Sequence, residues 1–153
     1  MVHFFTTEAS DPAIDFTGLR FFTVKSPALG RRADVTVWVP EGAKDVEDLP
    51  VVTLLHGVYG SHWAWALKGG AHAVARDLIA AGKIRPLALA MPSDGLWGDG
   101  SGYLTHRAAD YERWVVDEVP ALLREQFPSV SETSPLFLAG LSMGGYGALR
   151  LGA

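Results

Sequence analysis

The segment Gly140-Leu141-Ser142-Met143-Gly144 matches the pattern G-x-S-x-G, and its surroundings suit the chemistry of that pattern. An apolar run precedes the segment, and Tyr146–Leu151 after it begins a predicted helix. A sharp strand-to-helix turn projects a serine Oγ above a sheet, and flanking glycines let neighbouring backbone approach without a Cβ clash. The N–H groups that open the helix face toward an oxyanion. The pattern therefore indicates a nucleophilic serine; the alternative is a glycine-rich helix entry with an incidental serine.

A second chemical pattern, His56-Gly57-Val58-Tyr59-Gly60, directly follows an apolar run. A hydrolase built around a G-x-S-x-G turn needs a second oxyanion N–H from a loop at this position. We expect the backbone of Val58 to supply it, with Tyr59 as the next candidate. The alternative is an ordinary glycine turn. His56 is not expected to be the catalytic base, because it would sit low in the loop, where its ring ties backbone together.

The other histidines offer no evident base. His3 lies near the chain start, and His72 is expected to be solvated, opposite the apolar stripe of its helix. His62 and His106 fall in predicted loops that border the site, so each stays open as a base, although loop histidines are usually structural or exposed.

No metal or dinucleotide site is indicated by the acidic and glycine-rich loop segments. The spacing of Asp94, Asp99 and Asp110 around His106 matches no known ligand set, so these acids are expected to be solvated. The run Gly98–Gly102 lacks the spacing and the following helix of a dinucleotide fingerprint.

Four aromatic residues follow predicted strand ends, where they either line a substrate pocket or pack loops onto the sheet. We favour packing for the group as a whole. The four residues are Trp63, Trp65, Trp97 and Tyr103. Among them Trp97 is the first choice for substrate contact, and Tyr59 is a further candidate.

These residues must be positioned by strands and helices, and the apolar pattern predicts both. Two strands, Leu19–Ser26 and Ala33–Val39, form an antiparallel hairpin, because a turn separates them. Nearly all-apolar runs suit strands that are buried on both faces; they are Val51–Leu55, Leu87–Met91 and Leu136–Leu141.

Helices are predicted between and after these strands. The first spans Ala71–Ala81, with Ala71, Val74, Leu78 and Ala81 on its inner stripe and Gly82 as its cap. The second spans Ala109–Phe127 and is bent by Pro120, and its inner face carries Tyr111, Val115, Val119, Leu122 and Leu123. Alternating strands and helices predict an α/β fold with a mainly parallel sheet, whose chemistry lies at the carboxyl ends of the strands.

Composition excludes several classes of protein. The 153 residues suffice for one domain, and 13 basic against 17 acidic residues give a net charge of −4, which argues against a nucleic-acid surface. The absence of cysteine excludes disulfides and thiolate chemistry. No long apolar run or basic leader predicts a membrane segment or signal peptide, so a cytoplasmic protein is expected.

Four segments in order carry a family resemblance: Leu54–Gly57, Met91–Gly95, Tyr111–Pro120 and Gly140–Leu149. Together they resemble the esterase D group of α/β-hydrolases, which includes S-formylglutathione hydrolases, tributyrin-type, feruloyl and acetyl-xylan esterases, and mycolyltransferases. The resemblance covers about Arg20 to the end. It implies the N-terminal half of the α/β-hydrolase fold, Ser142 as nucleophile, Met143 and Val58 as oxyanion N–H donors, and no cofactor.

The sequence departs from this family in one respect. α/β-Hydrolases place the catalytic acid and then the histidine after the serine, yet none of the residues from Met143 to Ala153 is Asp, Glu or His. Residues 1–153 are therefore interpreted as one incomplete domain, completed by a C-terminal segment or second chain. The leading hypothesis is a serine esterase acting on a small-molecule carboxylic ester or thioester, and the chain alone is expected to be inactive; the alternatives are an acyltransferase and a non-catalytic binding module.

Overall fold

The computed structural model describes residues 11, 13–95 and 98–153. The strands are β1 (Leu19–Ser26), β2 (Arg31–Trp38), β3 (Val51–Leu55), β4 (Ala88–Pro92), β5 (Thr105–His106), β6 (Ala109–Asp110) and β7 (Leu136–Gly140). The helices are α1 (Ala64–Leu67), α2 (Ala71–Ala80), α3 (Tyr111–Arg113), α4 (Val119–Gln126) and α5 (Met143–Leu151). A 3₁₀ turn spans Ala43–Asp45, and a π-helical turn, Trp114–Glu118, joins α3 to α4.

A five-stranded mixed sheet in the order β1-β2-β4-β3-β7 organises the fold. The predicted hairpin is confirmed, with Leu19 opposite Trp38 and Ser26 opposite Arg31. Strand β3 runs parallel to both β4 and β7, so these three strands point their carboxyl ends to the same edge of the sheet. That edge carries the loop after β3, the loop after β4 and the turn after β7.

Apolar side chains cover both faces of the central strands. On one face, Val51, Leu55 and Ala90 belong to a core that includes Trp114 and Val119. On the other face, Leu54, Leu89 and Met91 pack with residues of α1 and α2. The prediction that β3 and β4 are buried on both faces is confirmed. None of the described helices combines the length and apolar character needed to cross a membrane.

Helix α2 forms where it was expected but faces the core differently. The buried residues are His72 and Ala75, whereas Val74 is 56% exposed, so the predicted inner stripe is wrong. His72 is only 1% exposed, and its Nε2–H donates to the carbonyl of Asp15 at 2.6 Å. The expectation of a solvated His72 is therefore also wrong. The acceptor of His72 lies far away in the sequence, so the spacing of apolar residues along the helix could not reveal it.

The helix end at Gly82 follows the prediction. Gly82 has φ +66°, and its N–H donates to the carbonyl of Ile79, while the Lys83 N–H donates to that of Leu78. This pair of bonds is the Schellman motif, which favours glycine because its central residue is left-handed.

The segment from Tyr111 to Gln126 is helical but not uniformly α-helical. Ala109 and Asp110, predicted as helix, instead pair with β5 as the short strand β6. Before Pro120, the Val119 N–H bonds to the carbonyl of Trp114, five residues back. Since proline has no N–H and its ring crowds the preceding turn, the chain accommodates Pro120 by a π-helical turn. The expected inner residues are buried apart from half-buried Leu122, and Trp114, not predicted, joins them.

Strand β7 lies at an edge of the sheet, and its side chains are largely exposed. Leu136 and Phe137 are 45% and 55% exposed, so the prediction of a strand buried on both faces is wrong for the described residues. One flank of β7 pairs with β3, and no described strand pairs with the other. The helix after it begins at Met143, three residues earlier than predicted.

Candidate active site

Ser142 lies at the junction of β7 and α5, in a conformation that non-glycine residues rarely adopt. Its φ is +54° and its ψ is −116°, and its main-chain carbonyl accepts the Tyr146 N–H as α5 begins. The strand–turn–helix context predicted for the G-x-S-x-G segment is therefore present. Ser142 is exposed, so its hydroxyl is accessible above the carboxyl edge of the sheet.

The glycines around Ser142 are required by close packing of backbone. A Cβ on Gly144 would overlap the carbonyl oxygen of Leu55 and lie 2.8 Å from that of His56. A Cβ on Gly140 would overlap the carbonyl of Gly144. Because both obstacles are backbone, no side-chain rotation relieves them. The turn after β7 is thus held against the end of β3, with the Leu141 N–H bonded to the Leu55 carbonyl at 3.2 Å.

The loop 56–60 after β3 faces this turn. A Cβ on Gly57 would sit 3.5 Å from both the Leu141 carbonyl oxygen and the Ser142 Cβ, so loop and turn are in contact distance. The Gly60 N–H closes the loop on the Gly57 carbonyl at 2.9 Å. Val58 and Tyr59 are carried on this loop beside Ser142. The first N–H groups of a helix have no partner within it, which leaves the Met143 end of α5 suited to an anion.

His56 is a structural residue, as predicted. It is buried, its Nδ1–H donates to the Gly57 carbonyl at 2.7 Å, and its Nε2 accepts the main-chain N–H of Asp94 at 3.1 Å. With one ring nitrogen donating and the other accepting, the imidazole occupies one tautomer and ties the end of β3 to the end of β4.

A cavity of about 530 Å³ opens beside Ser142. Its volume is in the range of small-molecule binding sites. Side chains from three segments line it, with aromatic residues prominent among them: His56–Gly60, Trp63–Trp65 with Lys68 and Gly69, and Leu141–Ser142. Tyr59, Trp63 and Trp65 therefore border this cavity, whereas Trp97 lies outside the described residues.

The remaining histidines engage other parts of the fold. His62 Nδ1 lies 2.7 Å from the Thr36 hydroxyl, and burial lowers the pKa of its imidazole, partly offset by Asp34. His106 Nε2–H donates to the Ser101 carbonyl at 2.7 Å. Neither histidine is among the described residues that line the cavity, and His3 lies outside the described part of the chain.

Asp94 and Tyr103 are both buried beside the loop 56–60, although only Tyr103 was predicted to have a packing role. Asp94, expected to be solvated, is 1% exposed, and its Oδ2 accepts the Ser101 N–H at 2.9 Å. Tyr103 is fully buried and donates its hydroxyl to the His56 carbonyl at 3.1 Å, which agrees with the packing role favoured for the aromatics. Asp99 is exposed as predicted, and Asp110 caps α3.

Comparisons with known proteins identify the family of this chain. The family described as "Putative esterase" matches residues 26–153. The chain belongs to this family. It is 31% identical over 141 residues to an endo-1,4-beta-xylanase/feruloyl esterase of Xylanibacter ruminicola, and 34% identical over 110 residues to an acetyl esterase of Caldicellulosiruptor saccharolyticus. A solved ferulic acid esterase superposes with a TM-score of 0.76 at 26% identity, over 88% of this chain.

The family member described here has the α/β-hydrolase fold in part. It spans 19% and 37% of the lengths of the two relatives and 52% of the ferulic acid esterase structure. The predicted family resemblance and fold class are confirmed, and the mixed sheet with its flanking helices corresponds to about half of that fold.

Proposed function

We propose that this chain carries the nucleophile and the oxyanion hole of a serine esterase acting on carboxylic esters. The observation that carries the proposal is the strained conformation of Ser142, exposed beside a cavity and at the first turn of α5. Strain of this kind costs free energy and persists mainly where function requires it. The enzyme class is supported by the esterase relatives.

In the proposed reaction, Ser142 Oγ attacks the carbonyl carbon of the ester and transfers its proton to a histidine base. The carbonyl π electrons move onto oxygen, and the resulting oxyanion accepts hydrogen bonds from the main-chain N–H groups of Met143 and Val58. Collapse of the tetrahedral intermediate breaks the bond to the alcohol, which leaves with the proton from the histidine. Water then attacks the acyl-enzyme by the same route, releasing the acid and restoring Ser142.

The acid and the base are proposed to come from a C-terminal segment or a second chain, so that residues 1–153 are an incomplete domain, inactive alone. Two observations support this. No Asp, Glu or His follows Ser142 in the sequence, and the chain spans about half of the ferulic acid esterase structure. In addition, no described strand pairs with the outer flank of β7, so the backbone of this strand offers an edge with which a further strand would pair.

The cavity indicates the class of substrate. Tyr59, Trp63 and Trp65 offer apolar and aromatic surface to one side of the ester, and we propose that they bind its acyl group or its alcohol. Trp97 stays a predicted substrate contact. A cytoplasmic location and independence of cofactors likewise remain predictions, drawn from composition and from the family resemblance.

A fluorophosphonate probe tests the proposal in the complete enzyme, meaning this chain with the segment that supplies the acid and histidine. Ser142 should be the residue labelled, and Ser142→Ala should lower turnover of a p-nitrophenyl ester by about three or more orders of magnitude. Ser131→Ala is the control, since Ser131 precedes β7, at the end of the strand opposite Ser142. Labelling of Ser93 or Ser101 with Ser142 untouched would contradict the assignment. Adding an alcohol acceptor distinguishes acyl transfer from hydrolysis.

A further inference from the structure

A buried carboxylate, Asp94, joins three segments at the carboxyl edge of the sheet. Its main-chain N–H donates to His56 Nε2 at 3.1 Å, and its carboxylate oxygen Oδ1 lies 3.6 Å from the same nitrogen. The other oxygen, Oδ2, accepts the Ser101 N–H at 2.9 Å. A carboxylate that is 1% exposed is costly unless hydrogen bonds compensate it, and the bond from the Ser101 N–H fixes the Asp94 carboxylate to the segment that carries Ser101.

Tyr103 makes a second connection between the same segments. Its hydroxyl donates to the main-chain carbonyl of His56 at 3.1 Å, and its N–H donates to Ser101 Oγ at 3.0 Å. Burial, helped by the nearby Asp94, raises the pKa of this hydroxyl far above its ordinary value, so the proton needed for donation is always present. Tyr103 also has φ +55°, a conformation that a bulky residue keeps only when its surroundings impose it.

The loop 98–103 reaches the other side of the site as well. The Gly102 N–H donates to the Met143 sulfur at 3.3 Å, and a Cβ on Gly100 would meet that sulfur and lie 3.5 Å from Val58 Cγ2. The Tyr103 ring packs on α5, where a Cβ on Gly147 would lie 2.7 Å from it. The loop 98–103 therefore contacts both residues whose backbone N–H groups form the proposed oxyanion hole.

His56 transmits these contacts to the loop that carries Val58. Its ring accepts the main-chain N–H of Asp94, its carbonyl accepts the Tyr103 hydroxyl, and its Nδ1–H is bonded to the carbonyl of Gly57, the residue before Val58. The ring and the carbonyl of His56, at the start of the loop 56–60, are thus both fixed by groups of Asp94 and Tyr103.

We infer that Asp94 and Tyr103 are positioning residues, which set the distance and orientation between the Val58 and Met143 N–H groups through His56 and the loop 98–103. The inference rests on the proposed function and adds to it two side chains that touch neither substrate nor Ser142. Its physical reason is that oxyanion donors act only when aimed at the developing charge, and small displacements lower the rate steeply.

Four variants of the complete enzyme test the inference. Asp94→Ala removes the acceptor of the Ser101 N–H, whereas Asp94→Asn retains an acceptor oxygen of the same shape. Tyr103→Phe removes only the hydroxyl. Ser134→Ala is the control, because it removes a buried hydroxyl that accepts the Ser131 N–H before β7, at the end of that strand away from the loop 56–60.

For hydrolysis of p-nitrophenyl acetate, we expect Asp94→Ala to lower kcat by about 10- to 100-fold and Tyr103→Phe by about 10-fold, less than outright loss of a donor. KM should change by less than about twofold, since the cavity that binds the ground state is intact. Asp94→Asn should keep kcat within about threefold of the parent, because the asparagine side chain still offers an oxygen that accepts the Ser101 N–H. Ser134→Ala should keep the parent kcat.

Phenylboronic acid forms a tetrahedral adduct on an active serine. Its inhibition constant is a measurement that a loss of folding stability alone would not change. Its inhibition constant should rise in Asp94→Ala and Tyr103→Phe by the same factor as kcat/KM falls, because a transition-state analogue senses the oxyanion hole. Circular dichroism melting checks that each variant is folded. If Asp94→Ala does not fold, Tyr103→Phe, the smaller change, decides the test.

Unchanged kcat in folded Asp94→Ala or Tyr103→Phe would overturn the inference, as would equal losses in Asp94→Ala and Asp94→Asn. In both cases Ser142→Ala would still abolish activity, so the proposed function would stand. Activity that survives Ser142→Ala would instead overturn the proposed function, and the positioning inference with it.

Discussion

Ser142 and its flanking glycines illustrate how a few backbone contacts define this site. A non-glycine residue at φ +54° and ψ −116° costs on the order of 1–3 kcal/mol, which the rest of the fold must offset. The offset is available because Gly140 and Gly144 allow the turn to lie directly against the end of β3. The conformation of Ser142 is thus a consequence of packing around it.

Gly144→Ala tests this packing. Because the added Cβ would overlap the Leu55 carbonyl, the free energy of unfolding should fall by at least about 2 kcal/mol, the cost of overpacking against rigid backbone. Gly145→Ala is the matched control: its Cβ would lie 3.4 Å from the Gly140 carbonyl, and alanine favours a helix. Urea denaturation measures both variants. Equal stability of the two would mean that the close approach at Gly144 does not constrain the turn.

Val58 is expected to act through its backbone and not its side chain. Val58→Pro removes the N–H and should lower kcat of the complete enzyme by about 10²- to 10³-fold, the usual effect of losing one oxyanion donor. Val58→Ala keeps the N–H and should have a mild effect. Ester hydrolysis gives the rates, and circular dichroism verifies the fold. A folded Val58→Pro enzyme with full activity would exclude this role and turn attention to Tyr59.

At the scale of elements, the helical segment that begins at Tyr111 has two distinctive features, a side-chain cap at its start and a π-helical turn before Pro120. Asp110 caps its start by accepting the Arg113 N–H at 3.0 Å, and the π-helical turn accommodates Pro120. Glu118, on that turn, accepts the Ala28 N–H at 2.8 Å, while Trp114 donates its Nε1–H to the Ser93 carbonyl. The irregular helix thereby anchors the β1–β2 turn and the end of β4.

Asp110→Ala should lower the free energy of unfolding by about 1 kcal/mol at pH 7, the typical loss for an N-cap. The hydrogen bond from the Arg113 N–H holds the pKa of Asp110 below its ordinary value. A lowered folded-state pKa means that the carboxylate stabilises the fold above the unfolded pKa and that this contribution is lost as pH falls through the folded pKa. The difference in free energy of unfolding between the parent and Asp110→Ala, measured by urea denaturation, should therefore become smaller at acidic pH.

Asp99→Ala is the control for the cap, because Asp99 is an exposed loop acid. It should leave stability at pH 7 unchanged within about 0.5 kcal/mol, as surface substitutions usually do. If the parent and Asp110→Ala differed as much in free energy of unfolding at low pH as at pH 7, the charge of the carboxylate would not be what caps the helix.

At the scale of the whole molecule, the two edges of the sheet are unlike each other. Strand β1 carries Arg20 and Lys25, charges that oppose pairing with another chain. Strand β7 has the sequence LFLAG, with no charge, and Leu149 of the adjacent helix α5 is also exposed. Exposed apolar edges of this kind are templates for association, so β7 is the side on which the fold is expected to be completed.

Residues 1–153 expressed alone should therefore associate or aggregate and should not hydrolyse p-nitrophenyl esters. Phe137→Lys should raise the fraction of monomer in size-exclusion chromatography, because a charge on an edge strand opposes pairing. Phe21→Lys on β1 is the matched control, since Phe21 and Phe137 are 53% and 55% exposed. A soluble monomer with ordinary esterase turnover would contradict the proposed incompleteness and require a base among His56, His62 and His106.

The sequence alone predicted the strands of the main sheet, helix α2 and the candidate nucleophile, but not α1, β5 or β6. Apolar runs bounded by glycine and proline predicted β1 and β3 to the residue, and β4 and β7 to within one residue. These signals are local, because strand alternation, helix caps and the G-x-S-x-G turn each depend on residues close in the chain. The family resemblance rested on the same local motifs, and the family match over residues 26–153 agrees with it.

Tertiary structure alone decided which side chains are buried and which loops meet. His72 is buried where its Nε2–H donates a hydrogen bond to the Asp15 carbonyl, 57 residues away, and the Asp94 carboxylate is buried where it accepts the Ser101 N–H. Conversely, the apolar β7 is exposed because no described strand covers its outer side. Burial of a polar group depends on partners that come from distant segments, and burial of an apolar group depends on a neighbour being present, so neither can be determined from local pattern.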